Sequence, residues 1–329
     1  MIKSDLIEQL FTDVMKNNRD GIIKTANEII EDERKKNHAT MANRLQNIIN
    51  QGFIIPKNSV SALSLNDCNE QESKFFEIMF PEKELSDVVL TNENKQQIQQ
   101  IIHEFINWDV LLSNGAYPMR RILFYGCPGC GKTLTAHAIA SEIGLPLLYV
   151  RFDGVISSYL GETASNIRKV FDFAKNDNYV ILFDEFDAIG RSRNDQHEHG
   201  EIKRVVNAFL QQVDSFKGRS LIIAATNFEE SLDYAVWRRF DSTLRFDMPD
   251  NDDRVRLFNI RLNQFDGSQN IIKEFAKHME NFTHSDTEQA AVSVLKRCIL
   301  DGRRMYTKSD VETAVLQQER LVNLRKTQY

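Results

Sequence analysis

Between residues 121 and 226 the chain returns four times to a short, nearly unbroken apolar run: RILFYG (121–126), PLLYVRF (146–152), YVILFD (179–184) and SLIIAAT (220–226). A strand with one wet face alternates apolar and polar residues, whereas a continuous run marks a strand covered on both faces. The stretches between them, 132–142, 163–175 and 200–213, have helical spacing of apolar residues. Such alternation predicts a parallel sheet flanked by helices, an α/β domain, here placed over 86–250. After Pro249 only helical patterns remain (255–262, 288–300 and 309–321), which predicts a small helical domain over 251–329.

Residues 1–50 also read as helical, with Leu6, Leu10, Val14, then Ile22, Ile23, Ala26, Ile29, Ile30, then Met41, Leu45, Ile48 and Ile49. The Asn-Asn-Arg-Asp-Gly stretch at 17–21 predicts a break, and a second is expected around 37–40. This segment suits either docking of a partner or a cap on the main domain. Residues 51–85, with Gly52, Pro56 and Pro81, read as a connecting segment with a short strand or helix near 75–80.

At 329 residues, with 42% hydrophobic composition, the chain has material for a sizeable core, which excludes wholesale disorder. The 41 Lys+Arg against 47 Asp+Glu give a net charge of −6, which argues against a dedicated nucleic-acid binder. Cys68, Cys127, Cys130 and Cys298 are too few for a disulfide framework at this length. No apolar run approaches ~18 residues, and the N-terminal MIKSDLIEQLF lacks a signal-peptide pattern. The expectation is a soluble cytoplasmic protein with no membrane segment.

GCPGCGKT at 126–133 fits G-x-x-x-x-G-K-[ST], and it sits between a predicted strand and a predicted helix, the context that motif requires. Its glycines let consecutive backbone N–H groups converge on phosphate oxygens, and the helix behind adds its positive end. Pro128, Gly129, Cys130, Gly131, Lys132, Thr133 and Leu134 are therefore the candidate nucleotide-binding residues. Lys132 would reach the outer phosphates and the Thr133 hydroxyl would ligate Mg²⁺. Cys127-Pro128-Gly129-Cys130 is also a C-x-x-C, but a zinc site needs four ligands and the other cysteines are distant.

YVILFDEFD (179–187) ends a buried strand on carboxylates, where ligands bind in open α/β sheets. Asp184 would join Thr133 in the Mg²⁺ shell, and Glu185 would act as general base on the attacking water. His197-Glu198-His199 lacks the H-E-x-x-H spacing of a helical metal site and reads better as a solvated loop.

Taken together, residues from about 86 to 322 resemble the AAA ATPases, a branch of the AAA+ proteins, collinearly through several motifs. That resemblance implies ATP and Mg²⁺ as ligands and a ring-forming homo-oligomer, typically a hexamer, that remodels a protein substrate. It implies that Asn227, in AATN, aligns the attacking water. Arg238 and Arg239, in AVWRRFD, would be arginine fingers reaching a neighbour's site. Tyr159 and Leu160, in SYLGE, would be a pore loop gripping an extended chain. Asp214-Ser215-Phe216 stands where the family has an inter-subunit Asp-Gly-Phe. Thr283-His284-Ser285-Asp286 departs from its usual Thr-Gly-Ala-Asp. Wording such as LGET, GE-x-KR and A-x-WRRFD is similar to stand-alone bacterial AAA ATPases often encoded beside a subtilisin-like serine protease, which implies a separately encoded protease as partner. A nucleic-acid-linked AAA+ ATPase and a regulatory ATP switch are the alternative functions. The pore-loop aromatic and the acidic balance favour the unfoldase.

Overall fold

The structure is a computed structural model that describes residues 6, 9, 12, 19–35, 75–151, 155, 163–186, 199–232 and 234–326. By internal contacts the chain divides into Met1–Asp67 and Cys68–Tyr329. Of the first unit, one long helix is described, α1 (Arg19–Lys35), with Thr25, Ile29 and Ile30 buried. It starts inside the expected break at 17–21. Its Gly21 lies in the first turn, away from the helix interior where glycine costs most.

The second unit opens with β1 (Phe76–Met79), helix α2 (Asn92–Ile106) and α3 (Trp108–Ser113). Thr91 caps α2 by accepting from the Asn94 N–H. The remaining large-domain elements are β2 (Arg121–Gly126), α4 (Lys132–Ile143), β3 (Leu147–Val150), α5 (Thr163–Ala174), β4 (Val180–Phe183), α6 (His199–Ser215), β5 (Leu221–Thr226), α7 (Tyr234–Trp237) and β6 (Ser242–Phe246). The sheet order is β1-β3-β4-β5-β2-β6, parallel throughout except for β1 against β3.

Strand periodicity explains why continuous apolar runs were needed. Leu123, Ile181, Phe183, Ile222 and Ala224 face one way, into a core with Ile167, Val170 and Phe171 of α5 and Phe209 and Val213 of α6. Ile122, Phe124, Val180, Leu182, Leu221 and Ile223 face the other, packing with Ile98, Ile101 and Phe105 of α2 and Ile139 of α4. Successive residues thus serve opposite layers, and neither face of the central strands is free for a polar residue.

Four helices follow: α8 (Asn251–Leu262), α9 (Gln269–Ala276), α10 (His284–Leu300) and α11 (Lys308–Lys326). They enclose a core of their own around Phe258, Met279, Phe282, Val294 and Val311. Reciprocal capping boxes start three of them, Asp250 with Asp253 at α8, Thr283 with Asp286 at α10 and Thr307 with Asp310 at α11. Among the described residues, no helix is long and apolar enough to cross a membrane.

Candidate functional site

A cleft of about 490 Å³ opens between the carboxyl ends of the parallel strands and the helical lid. One wall is the loop joining β2 to α4. Gly126 (φ 122°) lets the chain leave β2 hard against β6, and a Cβ there would lie 2.3 Å from the Phe246 carbonyl oxygen. Only glycine fits this approach. The Cys127 N–H donates to the same carbonyl at 3.1 Å, fixing the start of the loop. Gly129 (φ 72°) and Gly131 (φ 94°) carry the following turns into α4.

Lys132 is 6% exposed, and its Nζ donates to the carbonyls of Gly126 and Cys127, each at 2.8 Å. The ammonium is thus held within the loop. The Thr133 hydroxyl donates to Asp184 Oδ2 at 2.6 Å, joining the start of α4 to the end of β4. Two hard oxygen donors lie side by side there, the ligand chemistry Mg²⁺ requires, so the residues fit that ion.

Asp184 Oδ1 also accepts the Glu185 N–H at 2.9 Å. Glu185 adopts φ 52°, the only positive φ of a non-glycine residue among the described ones. The cause lies on both sides of it. Phe183 and Phe186 are both buried and both pack on the ring of Phe209, at 4.9 and 4.8 Å between centroids. Anchoring two rings three residues apart on one partner forces a tight turn between them, and Glu185 absorbs the strain. Its residue lines the cleft, as does Asn227 at the end of β5. Because β5 lies between β4 and β2 in the sheet, Asn227 sits between the two nucleotide motifs.

Of the candidate loop residues, Pro128, Gly129, Gly131, Lys132, Thr133 and Leu134 line the cleft with Asp184. Cys130 does not: its side chain is 2% exposed and packs in the α2–α4 core. Burial pushes the Cys130 thiol up to about 11, so it stays protonated.

Arg238 and Arg239 lie outside this cleft, and the structure separates them. Arg238 is exposed, its guanidinium 5.5 Å from the Tyr234 ring. Arg239 has partners within its own chain. Its Nε reaches Asp214 Oδ2 at 3.2 Å and its Nη1 donates to the Ala235 carbonyl. Asp214 in turn lies 3.5 Å from Arg121. Phe216 also departs from the family expectation of an inter-subunit sensor. It is 1% exposed and meets Phe171 edge-on at 5.6 Å, as part of the core. Tyr159, Leu160, His197 and Glu198 lie outside the described residues, as does the side chain of His199.

The opposite wall carries Asp87, Val88 and Val89 before α2 and Leu257, Ile260 and Arg261 of α8, which no sequence motif announced, together with His284 and Ser285 of the Thr283–Asp286 stretch and Glu288 of α10. Arg261 and Glu288 form an ion pair across the two lid helices. The Ser285 N–H donates to the Gly129 carbonyl at 3.0 Å, fastening the lid directly to the loop. The legible signal here is the Thr283-x-x-Asp286 capping box, which orients the start of α10 toward the loop. Burial, helped by the Arg254 guanidinium, lowers the His284 imidazole to about 4.

Comparison with known proteins agrees with this construction. The family model described as "ATPase family associated with various cellular activities (AAA)" matches residues 122–248. The chain is 37% identical over 300 residues to an uncharacterized AAA family ATPase, y4kL, of Sinorhizobium fredii, covering 90% of this chain and 89% of that one. It is 31% identical over 244 residues to the proteasome-activating nucleotidase of Methanococcus vannielii, covering 72% of this chain and 60% of that one. It is 31% identical over 245 residues to the ATP-dependent zinc metalloprotease FtsH 3 of Sphaerobacter thermophilus, covering 71% and 49%. A glycine loop on a buried lysine, a Thr–Asp pair between α4 and β4, and relatives of this kind place the chain in the AAA family of ATPases.

Proposed function

We propose that this ATPase is a ring-forming, ATP-driven protein remodeller. The observation that carries the reading is the position of Arg238, exposed and outside its own subunit's cleft. An arginine that serves phosphoryl transfer from there must serve a neighbouring copy, and a homo-oligomer, in this family a hexamer, follows. Relatives named as proteasome-activating nucleotidases support a protein as the substrate. They also support a separately encoded protease as partner.

Within the cleft, the loop 126–133 binds the ATP phosphates through its backbone and Lys132. Thr133 and Asp184 would hold Mg²⁺, which would offset charge on the outer phosphates. Glu185 accepts a proton from the water whose oxygen attacks the γ-phosphorus, as the bond to the β–γ bridging oxygen breaks. Asn227 orients that water, and Arg238 and Arg239 of a neighbouring copy offset the charge on the transferred group. Tyr159 and Leu160 grip the substrate chain.

The test uses Glu185→Gln, which should bind ATP, resist turnover and assemble into a ring measurable by light scattering. A strict monomer at high concentration with ATP would sink the oligomer. A mixture of Arg238→Ala with Lys132→Ala should regain some hydrolysis if the sites are shared between copies. Pull-down with Glu185→Gln should retain the substrate and any protease.

A further inference from the structure

Beside the nucleotide cleft lies a second cavity, of about 410 Å³, between the start of α2 and α8 of the lid. Helix α2 contributes Asn92, Lys95 and Ile98, each three residues from the last along one strip, and α8 contributes Arg256, Asn259 and Ile260 from one face. The partition between the two cavities is thin. Val88, extended at φ −107°, and Val89 line both, as does Ile260.

Floor and rim of this cavity differ in chemistry. Val89 and Ile98 are buried and Val88, Leu90 and Ile260 half-buried, so the floor is apolar. The rim is polar, with the amides of Asn92 and Asn259 and two cations, Lys95 from the sheet domain and Arg256 from the lid. No carboxylate stands among the described lining residues, although the chain as a whole carries a net charge of −6. Among the described residues, the Lys95 ammonium has no ion pair or hydrogen bond. The Arg256 side chain is 58% exposed and keeps one long contact, 3.6 Å from Asp253 of its own helix. Both cations are therefore open to a ligand. A volume of this size, with apolar walls and a few polar groups converging from two domains, is the build of a small-molecule site.

We propose that this cavity is a second binding site, which takes a small organic anion with an apolar body. The body lies on the valines and Ile98, and the acid group meets Lys95 and Arg256 at the rim, in charge-assisted hydrogen bonds. Because these two cations belong to different domains, the ligand ties the lid to the sheet domain. Nucleotide and anion occupy their cavities together, one on each side of residues 88–89. The rival is a gap left by the packing of two domains, filled by solvent and without a ligand of its own.

The probe is octanoate, with octanol as its uncharged counterpart, titrated by calorimetry into the full chain with and without ADP. Octanoate should bind in both conditions, and octanol should bind more weakly. Lys95→Gln and Arg256→Gln should each weaken octanoate roughly three- to tenfold, the worth of one hydrogen bond, and leave octanol unchanged. Asn259→Trp should fill the cavity and abolish both. Melting curves identify any variant that fails to fold, and ATP hydrolysis by Lys95→Gln should match the wild type, since Lys95 lies outside the nucleotide cleft. Complete displacement of octanoate by ADP overturns the proposal, because the probe then sits in the nucleotide cleft. Octanoate affinity unchanged in both Lys95→Gln and Arg256→Gln, or no binding at millimolar octanoate, overturns it in favour of the solvent-filled gap. The variants are compared with and without ADP, so this proposal and the reading of the neighbouring cleft fail separately.

Discussion

The two walls of the cleft are built on opposite plans. The sheet wall is made of backbone: a loop whose glycines take conformations closed to other residues, a lysine on two loop carbonyls, and a Thr–Asp contact between neighbouring elements. The lid wall is made of side chains whose positions depend on a small separate core and on long-range bonds. Asp286 shows the second plan. It accepts from the Thr283 hydroxyl, from Gln318 and from Arg325 of α11, so the start of α10 is braced by the last helix of the chain. The sheet wall should therefore fail in chemistry and the lid wall in stability.

The largest effects should come from the sheet wall and appear in activity alone. Lys132→Ala should abolish nucleotide binding, and Glu185→Gln should lower kcat by roughly 10²–10⁴ while binding persists, as expected for a lost general base. Both should melt within a few degrees of the wild type. Full-rate hydrolysis by Glu185→Gln would remove Glu185 from the base role.

On the lid wall, Asp286→Ala leaves Gln318 and Arg325 without their acceptor and removes a helix cap, a loss of about 3 kcal/mol. Thermal melting should show it. If Asp286→Ala melts like the wild type but has lost nucleotide binding, the contrast between the walls is wrong.

Acid should separate the walls further. In the unfolded chain His284 binds a proton near its ordinary 6.5, whereas in the folded chain burial delays this to about 4. The unfolded state then holds more protons, so stability falls as pH drops through that window, by up to about 3 kcal/mol. Asp286 and Asp310 act lower. Burial pushes the Asp286 carboxyl up, and the bonds from Thr283, Gln318 and Arg325 more than reverse it. The Arg303 guanidinium holds Asp310 well below the usual carboxylate range. Their stabilisation is present above the ordinary 3.8 and disappears as pH falls below it. Melting temperature against pH for the wild type and His284→Gln tests this. The loss between pH 6.5 and 4 should shrink in the variant, and an unchanged curve would show His284 to be accessible to solvent.

The smallest effect concerns the arginines. Arg239→Ala loses a partly exposed pair with Asp214, about 0–1 kcal/mol, and Arg238→Ala should leave stability unchanged. Both should depress ATP hydrolysis in the assembled protein. Unequal melting with equal loss of activity would sharpen the distinction seen in the structure.

The same contrast decides what the sequence could reveal. Buried strands and the glycine loop announce themselves because burial on both faces and phosphate approach permit few residue types. The strands β2 to β5 and the helices α4 to α6 are legible for that reason. At the sheet edge, β6 places Arg245 in solvent between Leu244 and Phe246, so its run is broken by charge. The lone antiparallel strand, β1, also lies at an edge and is only four residues long. Helix α2 is readable in Ile98, Ile101 and Phe105 once the Thr91 cap is noticed, and α9 is short. Apart from the Thr283–Asp286 stretch, the lid wall stayed hidden because its residues are brought together by tertiary packing of α8 against α10, which leaves no local spacing. Phe216 shows the reverse error: its motif position suggests a surface role, and its ring finds the core.

The left-handed conformation of Glu185 bears on how readily this enzyme can be made more robust. A glycine at that position would relieve the backbone, and about 1 kcal/mol of strain is typical of such a site. The stabilised protein would be catalytically dead if Glu185 is the base. Selection for thermal endurance alone would thus drift toward inactivity at this residue. The two buried phenylalanines on either side of Glu185 hold the turn that places its residue at the cleft. A search for hardier variants should therefore leave 183–186 untouched and look for gains in the lid.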